Sequence, residues 1–458
     1  MAVIAMKRKV TQQLIDWKYR PDHKPLILQG ARQVGKTYIL EEFGREHYTN
    51  YIKVSLDLVP EVRSFLKDNI NPLEIIAYLE ALYNERIVPH ETLVILDEIQ
   101  DCKRALLALK YFQEDYPQYD IVAAGSLLGV AVNQGNKPDE EGEGEKNNGE
   151  PEEAFSYPVG KVDELRMYPM DFEEFLWAAG NDILAQEIRV HYDSNEAMPA
   201  SVHSMTLDLY QRYLIIGGMP ESVKKWVETH SFLECRTVQQ SILLGYNADM
   251  AKYAKPATTV KIRACFNSIP AQLAKENRKF QYKLAQKGGT AKIFGEAIEW
   301  LILAGIVHKC KLISHGFIPI SAQEDDSDFK IYMSDIGLLN TKAQIPAQML
   351  LNSIDAENTF LGSVAENYVA QALSANGITL RYWKNDNTQE VDYILQDGMN
   401  VIPVEVKKGK KVDAISLNNF KKTYNCPFAF RISGKNFGFA NEIKSVPLYA
   451  VFCIVPTR

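Results

Sequence analysis

Residues 26–43 read LILQGARQVGKTYILEEF, and this stretch decides the fold of the first part of the chain. Residues 26–29 predict a short buried strand, residues 30–37 match G-x-x-x-x-G-K-[ST], and residues 36–46 have the pattern of a helix. In such a strand, loop and helix the glycines let backbone N–H groups turn inward around phosphates. The helix start adds the positive end of its dipole. The stretch therefore predicts a phosphate-binding loop.

The side chains of this loop predict how a nucleotide is held. Lys36 is placed to bridge the β- and γ-phosphates of ATP and is a predicted catalytic residue, and the Thr37 hydroxyl is placed to ligate Mg²⁺. Arg32 is either a nucleotide contact or an interaction residue. The predicted ATP-binding residues are Gly30, Ala31, Arg32, Gln33, Val34, Gly35, Lys36 and Thr37.

Residues 93–98, LVILDE, predict the second half of the site. Four apolar residues indicate a buried strand, and Asp97 follows at its carboxyl end, where it can hold Mg²⁺ directly or through water. Glu98 can orient or deprotonate a water for attack on the γ-phosphate, which favours hydrolysis over transfer to a small molecule. The alternative is that the two acids cap the next helix.

Ser126 ends the next predicted strand, in the sequence AAGS at residues 123–126. Its hydroxyl can contact the γ-phosphate or the attacking water, and the alternative is an ordinary turn. Strand and helix patterns alternate along this region, which predicts an α/β fold with a parallel sheet covered by helices on both faces. The predicted strands are 26–29, 51–56, 93–96 and 121–124, and the predicted helices are 36–46, 73–83 and 103–115.

The composition excludes several classes of protein. With 46% hydrophobic and 24% charged residues the chain is typical of a globular protein, and its 458 residues predict two or three domains. The longest uncharged apolar run, residues 300–307, is too short to cross a bilayer, and residues 1–10 do not resemble a secretory signal, so we expect a cytoplasmic protein. The six cysteines are scattered without a C-x-x-C pair, which supports neither a zinc site nor a disulfide framework.

The net charge of −7 is unevenly distributed. Residues 133–155 hold eight acids and two lysines, a net of −6, and their Gly, Asn and Pro content predicts a disordered acidic loop. Residues 256–311 carry ten basic and three acidic side chains, and residues 376–458 carry twelve and seven, nets of +7 and +5. These two regions are candidates for contact with DNA, and ordinary solvated surfaces are the alternative.

The middle of the chain is predominantly helical. A short strand pattern begins at 159, Asp171 is a predicted helix cap, and helical periodicity runs from 206 to 303 with a break at GGMP, residues 217–220. An amphipathic helix at 291–304 is followed by strand patterns at 306–313 and 330–333. Helices followed by a two-stranded wing predict a winged-helix-like region, and many such modules bind protein instead of DNA.

After the mainly helical middle of the chain, the last 110 residues or so again mix helix and strand patterns. They predict a second, separate α/β domain. Its predicted helices are 361–375 and 415–424, and its predicted strands are 379–383, 390–395, 401–406, 428–432 and 449–455.

Four charged residues of this domain predict a second site. Glu405 and Lys407 are two apart on a predicted strand and face the same side, and a hairpin brings Asp392 beside them. Two carboxylates and a lysine at a sheet edge can hold Mg²⁺, with Asp392 and Glu405 as ligands, and can activate a water for phosphodiester attack. Glu366 on the preceding helix can complete the cluster. A solvated charge pair is the alternative for an E-x-K pattern.

The chain resembles the prokaryotic AAA+ type ATPases that pair an N-terminal P-loop domain with a C-terminal domain of uncharacterised role. The resemblance covers almost the whole chain and rests on GARQVGKT (30–37), LVILDEIQ (93–100), AAGSLLGVA (123–131), YPVGKVDELRMYPMDFEEFL (157–176) and IIGGMPE (215–221). It implies that Ser126 occupies the sensor position. The ordered set Glu366, Asp392, Glu405 and Lys407 resembles the restriction-endonuclease-like, PD-(D/E)XK fold and implies nuclease chemistry for these residues.

These patterns lead to one favoured hypothesis and two alternatives. The favoured one is Mg²⁺-dependent ATP binding and hydrolysis that drives a conformational switch coupled to DNA binding or processing. The alternatives are a regulatory ATP-binding interaction protein with a silent nuclease-like domain and a protein partner, and a P-loop kinase. The predicted domains are a P-loop AAA+ type ATPase domain at 1–204, a helical lid and winged-helix-like region at 205–345, and a restriction-endonuclease-like domain at 346–458. The sequence leaves the oligomeric state open.

Overall fold

The structure is a computed structural model that describes residues 6–130, 157–276, 278–354, 358–385, 389–409 and 415–456. The predicted acidic loop at 133–155 lies outside the described residues. The chain divides into two compact units, an N-terminal unit of Arg8–Met167 with Leu303–Gly305, and a larger unit of Met1–Lys7, Tyr168–Ile302 and Ile306–Arg458.

The N-terminal unit is built on a five-stranded sheet in which every strand pairing is parallel. Its strands are β1 (Leu26–Gln29), β2 (Asn50–Ser55), β3 (Thr92–Asp97), β4 (Asp120–Gly125) and β5 (Asp163–Arg166). The spatial order is β2-β3-β4-β1-β5. Because parallel strands all end at the same edge, the residues that follow β1, β3 and β4 meet there.

The helices of the N-terminal unit bury their apolar faces on this sheet and on each other. They are α1 (Lys9–Tyr19), α2 (Lys36–His47), α3 (Pro60–Asp68), α4 (Pro72–Tyr83) and α5 (Lys103–Asp115). Helix α2 packs on β2, β3 and β4, whereas α3 and α4 pack on α5. Buried side chains of β2, β3, α3, α4 and α5 form one apolar core. The predicted α/β fold with a parallel sheet is therefore confirmed.

The larger unit begins with a series of helices. In chain order these are α6 (Phe172–Ala178), α7 (Asp182–Ser194), α8 (Ala200–Ile216), α9 (Pro220–Thr229), α10 (Phe232–Tyr253), α11 (Pro256–Leu273), α12 (Tyr282–Ala285) and α13 (Ala291–Leu303). Asp171 caps α6 through a reciprocal pair of hydrogen bonds with Glu174, which confirms the predicted helix cap.

Within the described residues, two sheets and four further α-helices follow. The strands are β6 (Val307–Ile313), β7 (Glu324–Met333), β8 (Arg381–Lys384), β9 (Glu390–Val391), β10 (Tyr393–Asp397), β11 (Asn400–Val406), β12 (Ala429–Ser433), β13 (Gly438–Ala440) and β14 (Ile443–Pro447). The helices are α14 (Ile336–Lys342), α15 (Ala347–Leu351), α16 (Thr359–Ala375) and α17 (Ile415–Thr423). A mixed sheet has the order β10-β11-β12-β14-β13, and a second sheet has the order β7-β6-β8-β9.

Several predicted strands differ from the structure. The strand that was predicted to begin near residue 159 forms further along the chain, as β5 (Asp163–Arg166). The two strands of the predicted wing do pair antiparallel, but β6 also pairs in parallel with β8, so they belong to a four-stranded sheet. The predicted strand at 449–455 was wrong, because Leu448–Cys453 forms a buried 3-10 helix. A short continuous apolar run fits either buried element.

At residues 217–220, where the sequence predicts a break in the helical periodicity, three chain segments approach one another closely. Gly217 has φ +70, and a Cβ on Gly218 would lie 2.0 Å from the carbonyl oxygen of Met170. Asp335 accepts a hydrogen bond from Gly218 N (2.6 Å) and caps α14 through Leu338 N (2.8 Å). Only glycines fit this turn.

None of the helices in the described part of the chain combines the length and the apolar content needed to cross a membrane.

Candidate functional site

The loop at residues 30–37 connects β1 to α2 in a backbone conformation that depends on glycine. Gly35 lies in the left-handed region (φ +94) and directly precedes α2. A Cβ on Gly30 would lie 2.3 Å from the carbonyl oxygen of Met167. Ala31 and Val34 are buried, whereas Arg32 and Gln33 are exposed at the tip of the loop. Arg8, which directly precedes α1, supports the loop: its Nη1 donates to the Val34 carbonyl oxygen (2.8 Å).

Lys36 is buried within this loop. Its Nζ donates to the carbonyl oxygens of Gly30 and Ala31, both at 2.9 Å. Burial lowers the pKa of the Lys36 ammonium to about 8, although the nearby Glu98 and Asp97 carboxylates favour the charged form. The loop therefore holds one desolvated cation among its backbone groups.

Asp97 meets the loop from the end of β3. Thr37 Oγ1 donates to Asp97 Oδ2 (2.9 Å), and the backbone N–H of Glu98 donates to Asp97 Oδ1 (3.1 Å). Burial raises the pKa of the Asp97 carboxyl, and the hydrogen bond from Thr37 opposes that shift. A hydroxyl and a carboxylate oxygen in contact are the hard donors that Mg²⁺ prefers, so these two residues fit the metal of a nucleotide complex.

Glu98 and Ser126 meet beside them. Glu98 has φ +53, and its Oε2 accepts from Ser126 Oγ (3.2 Å) and from Gln100 Nε2. Ser126 and Gln100 are both buried. Sequence reasoning missed Gln100, although it stands two residues after Glu98 in the quoted stretch LVILDEIQ. The structure thus brings Lys36, Thr37, Asp97, Glu98 and Ser126 to one edge of the sheet.

The larger unit contains a buried group of charged residues around Asp392. Asp392 Oδ2 accepts from the backbone N–H of Val406 (2.7 Å), which places it beside the end of β11. Lys407 Nζ pairs with Glu405 Oε1 (2.5 Å), and Glu405 Oε2 is buried without a hydrogen-bond partner. Asp392, Glu405 and Lys407 therefore come together, as the sequence predicted.

Glu366 lies in the same group but is engaged by other residues. Arg278 Nη1 pairs with Glu366 Oε1, and the Tyr332 hydroxyl donates to Glu366 Oε2 (3.3 Å). The Tyr393 hydroxyl donates to the backbone carbonyl of Glu366 (2.8 Å). Arg278 and Tyr332 carry no signal in the sequence, because residues separated by many positions reach Glu366 only after folding.

The burial of these acids changes their protonation. Burial raises the pKa of Glu366 to about 7, and the neighbouring Asp392 charge adds to this shift. Burial and Asp392 also raise the pKa of Glu405 to about 7. Lys330, fully buried nearby, pairs with Glu390 and lies 4.6 Å from the centre of the Tyr382 ring. The group thus contains acids that hold protons near neutral pH, one buried cation, Lys330, and two partly exposed cations, Arg278 and Lys407.

A metal site was predicted at Asp392 and Glu405. The unpartnered Glu405 Oε2 is a buried oxygen of the kind that a cation can satisfy. Within the ranges that the structure describes, no group of three or more His, Cys, Asp or Glu side chains is arranged to hold a metal ion. Glu366, the third acid, is turned to Arg278 instead.

Three families match separate parts of the chain. Residues 22–141 match the AAA domain, residues 207–349 match a domain of unknown function (DUF8612), and residues 361–451 match a second domain of unknown function (DUF4143). No curated protein matches the chain in sequence.

Three solved structures align with this chain over much of their length. The Walker-type ATPase PABY2304 of Pyrococcus abyssi is 15% identical with a TM-score of 0.43, and the similarity covers 74% of this chain and 95% of that one. The Aeropyrum pernix ORC1 protein, solved in complex with DNA, is 14% identical with a TM-score of 0.27, covering 75% and 92%. AMPPCP-bound DnaA from Aquifex aeolicus is 12% identical with a TM-score of 0.26, covering 65% and 90%.

The parallel sheet, the loop between β1 and α2 and the match of residues 22–141 agree with one another. The N-terminal unit of this chain therefore has the fold of a P-loop ATPase, and residues 22–141 are similar to the AAA domain.

Proposed function

We propose that this chain binds ATP together with Mg²⁺ at residues 30–37 and hydrolyses it. The observation that carries the proposal is the hydrogen bond between Thr37 Oγ1 and Asp97 Oδ2, at 2.9 Å. It joins the loop after β1 to the acid after β3, the two halves from which a nucleotide and metal site is built. The match of residues 22–141 to the AAA domain supports the same function.

Each residue has a role in this proposal. The backbone N–H groups of the loop and the start of α2 bind the phosphates, and Lys36 moves its ammonium from the carbonyls of Gly30 and Ala31 to the β- and γ-phosphates. Thr37 and Asp97 hold Mg²⁺, which neutralises charge on the phosphate oxygens when bound.

The acid beside the metal site carries the chemistry. Glu98 orients a water and accepts its proton while the water oxygen bonds to the γ-phosphorus and the bond to the β,γ-bridging oxygen breaks, giving ADP and phosphate. Ser126 and Gln100 hold the Glu98 carboxylate in place through its Oε2.

The test is phosphate release from ATP by the full chain with Mg²⁺ and no added acceptor. We expect steady release by the wild type and a loss of roughly 100-fold in Glu98→Gln, which keeps the size of the side chain but is not a base. Glu46→Gln, in the exposed part of α2, is the matched control and should retain the rate. Retained release in Glu98→Gln would contradict the role of Glu98, and phosphate transfer only to an added acceptor would favour the kinase alternative.

A second function is supported by the buried group around Asp392. We propose that Asp392, Glu405 and Lys407, with Glu366, form a PD-(D/E)XK-like site at which Asp392 and Glu405 hold Mg²⁺ for phosphodiester chemistry. The specific observation is Glu405 Oε2, a buried carboxylate oxygen without a partner. Asp392 and Lys407 both contact the end of β11, Asp392 through Val406 N and Lys407 through Glu405 Oε1.

Plasmid or branched DNA incubated with Mg²⁺ and the full chain tests this function. Cleavage by the wild type that is lost in Lys407→Ala supports a nuclease, because the lysine can then no longer stabilise charge at the attacked phosphate. Lys408→Ala, at the next residue, is the control. Intact DNA under every nucleotide condition favours the regulatory protein with a silent nuclease-like domain.

DNA is also the proposed partner of the basic stretches at 256–311 and 376–458. Within them Lys279 pairs with Asp328, Lys311 with Glu324 and Lys421 with Glu442, so part of the positive charge is neutralised inside the fold. The proposed domains remain the ATPase domain (1–204), the winged-helix-like region (205–345) and the nuclease-like domain (346–458). The match at 361–451 falls within the third of these ranges, whereas the match at 207–349 begins in the second and ends four residues beyond it.

A further inference from the structure

A cavity of about 180 Å³ lies in the larger unit, outside the two candidate sites. Its walls come from β10, β11, β12 and β14, from α7 and from residues 454–456. The described residues that line it include none of those proposed for ATP or for phosphodiester chemistry. An apolar cavity of about 150 Å³ binds benzene, so this one has room for one six-membered ring.

Most of the wall is apolar. Phe428 and Phe430 are two residues apart and lie on the same side of the sheet, with their ring centroids 5.3 Å apart and their planes at 87°. Leu395 on β10 and Ile402 on β11 are register partners and continue this surface. Aromatic rings attract one another edge to face or offset, so this wall favours a ligand that carries an aromatic ring.

Lys444 brings one positive charge to the cavity. It is the register partner of Phe430, so the two side chains leave the sheet on the same side. Its Nζ lies 3.7 Å from the centre of the ring of Tyr192, which also lines the cavity. Burial lowers the pKa of the Lys444 ammonium, and the exposed Asp193 opposes that shift. A partly desolvated ammonium over a ring face keeps N–H donors that an anion can accept.

The other polar side chains of the wall are placed differently. Gln396 accepts through Oε1 from Ile320 N (3.1 Å) and donates through Nε2 to Gly398 O (3.2 Å), so its amide is engaged by the backbone. Asp397 lies on β10, which β11 and β12 separate from β14, a distance of about 14 Å at the usual spacing of strands. A molecule with a single ring is too short to reach both Asp397 and Lys444.

We propose that this cavity binds a small aromatic carboxylate, with the carboxylate on the Lys444 ammonium and the ring against Phe428 and Phe430. Apolar walls that bury a ring, with one charged group that fixes its orientation, are the usual composition of a small-molecule site. The inference is independent of both proposed functions, because the cavity shares no described residue with either site.

The test titrates the full chain with para-fluorobenzoate and follows the ligand by fluorine NMR. We expect saturable binding with a Kd of about 1 mM or lower for a ligand of this size. Lys444→Met keeps the length of the side chain and removes its charge, so binding should weaken by at least about tenfold. The neutral para-fluorobenzamide should bind the wild type as weakly as the acid binds Lys444→Met. Lys435→Met, at an exposed lysine outside the cavity, is the matched control and should bind like the wild type.

A second variant leaves Lys444 in place. Val455 is 58% exposed and lines the cavity, so Val455→Trp adds a large ring at the mouth without entering the core. It should abolish saturable binding. If Lys444→Met does not fold, this variant decides the question, and unchanged binding in Val455→Trp overturns the proposal.

The remaining outcomes are equally decisive. Equal affinity for the acid in the wild type and in Lys444→Met, or equal affinity of the wild type for the acid and the amide, overturns the role of the cation and with it the proposal. Acetate that binds as tightly as para-fluorobenzoate overturns the aromatic class of ligand. The absence of saturable binding up to about 10 mM para-fluorobenzoate overturns the site itself.

Discussion

Single residues of the loop decide whether the proposed nucleotide site works. The ammonium of Lys36 is the only buried positive charge that the described loop places among its backbone groups. We expect Lys36→Ala to weaken ATP binding by roughly 100-fold or more, because charge-assisted contacts to phosphate are lost while only dipoles remain. Calorimetry with Mg²⁺ and ATP measures this. The control is Lys161→Ala, which removes a partly exposed ion pair with Glu114. Unchanged affinity for ATP in Lys36→Ala would refute the assignment.

The lowered pKa of Lys36 gives this binding a pH dependence. Without ligand the ammonium loses its proton around pH 8, whereas ATP binds the charged form. Affinity should therefore be constant below pH 7 and fall as the pH rises above 8, by at most about tenfold per pH unit. Calorimetric titrations at pH 7 and pH 9 at constant ionic strength check the sign. Tighter binding at pH 9 would show that Lys36 does not contact the phosphates as a cation.

Ser126 acts through Glu98 in the proposed mechanism. Ser126→Ala removes the donor to Glu98 Oε2, and we expect the rate of phosphate release to fall by roughly tenfold with little change in the Kd for ATP. Ser126→Thr keeps the hydroxyl and should restore much of the rate. Equal losses of rate and affinity would instead indicate a direct contact with the bound nucleotide.

Among the elements, the turn between α8 and α9 tolerates the least change. A Cβ on Gly218 would lie 2.0 Å from Met170 O, so Gly218→Ala must displace backbone and should destabilise the larger unit by about 3 kcal/mol or more. In Gly295→Ala, inside α13, the added Cβ meets no neighbour within 4 Å, and helix propensity predicts a gain of up to about 1 kcal/mol. Urea unfolding of both variants measures the two opposite effects. Equal midpoints would contradict the close approach.

How far the sequence predicts an element depends on the range of the interactions that form it. Strands β1, β3 and β4 were predicted closely, because apolar runs and the residues at their ends are local signals. The helix α3 at Pro60–Asp68 was missed, although it is amphipathic and buries Val62 and Leu66, four residues apart. Leu448–Cys453 was predicted as a strand because a fully buried apolar run has no periodicity to read. The pairing of β6 with β8 joins residues about 70 positions apart and leaves no local pattern.

The same limit applies to the two candidate sites. Glycines, a lysine and two acids at fixed spacing predicted the residues that meet around Lys36. The spacing of Asp392, Glu405 and Lys407 likewise predicted that these three would meet. Arg278, Tyr332 and Lys330 could not be predicted, since they reach the carboxylates from distant segments through the packing of α16 and β7.

At the scale of the whole molecule, the buried acids make stability depend on pH. The pKa of Glu366 and that of Glu405 are raised to about 7 from the usual 4.5, so the folded chain holds protons that the unfolded chain releases. Stability should therefore decrease as the pH rises from 4.5 to 7, the window between the unfolded and folded pKa values. Urea midpoints of the wild type at pH 5 and pH 7.5, compared with those of Glu405→Gln, measure this contribution. A variant with the same pH dependence as the wild type would rule Glu405 out as its source.

The switch hypothesis requires that DNA and ATP affect each other across the whole chain. If DNA binding is coupled to the nucleotide, thermodynamic linkage makes a nucleotide that tightens DNA binding bind more tightly itself in the presence of DNA. We expect the rate of phosphate release to change when single-stranded, double-stranded or branched DNA is added, and the effect to weaken as salt increases, because phosphate contacts release counterions. Lys36→Ala should still bind DNA but lose its response to ATP, which separates the partner surface from the nucleotide site. A rate that stays the same with every DNA, at low salt and over the full titration, would exclude this coupling and favour a protein partner.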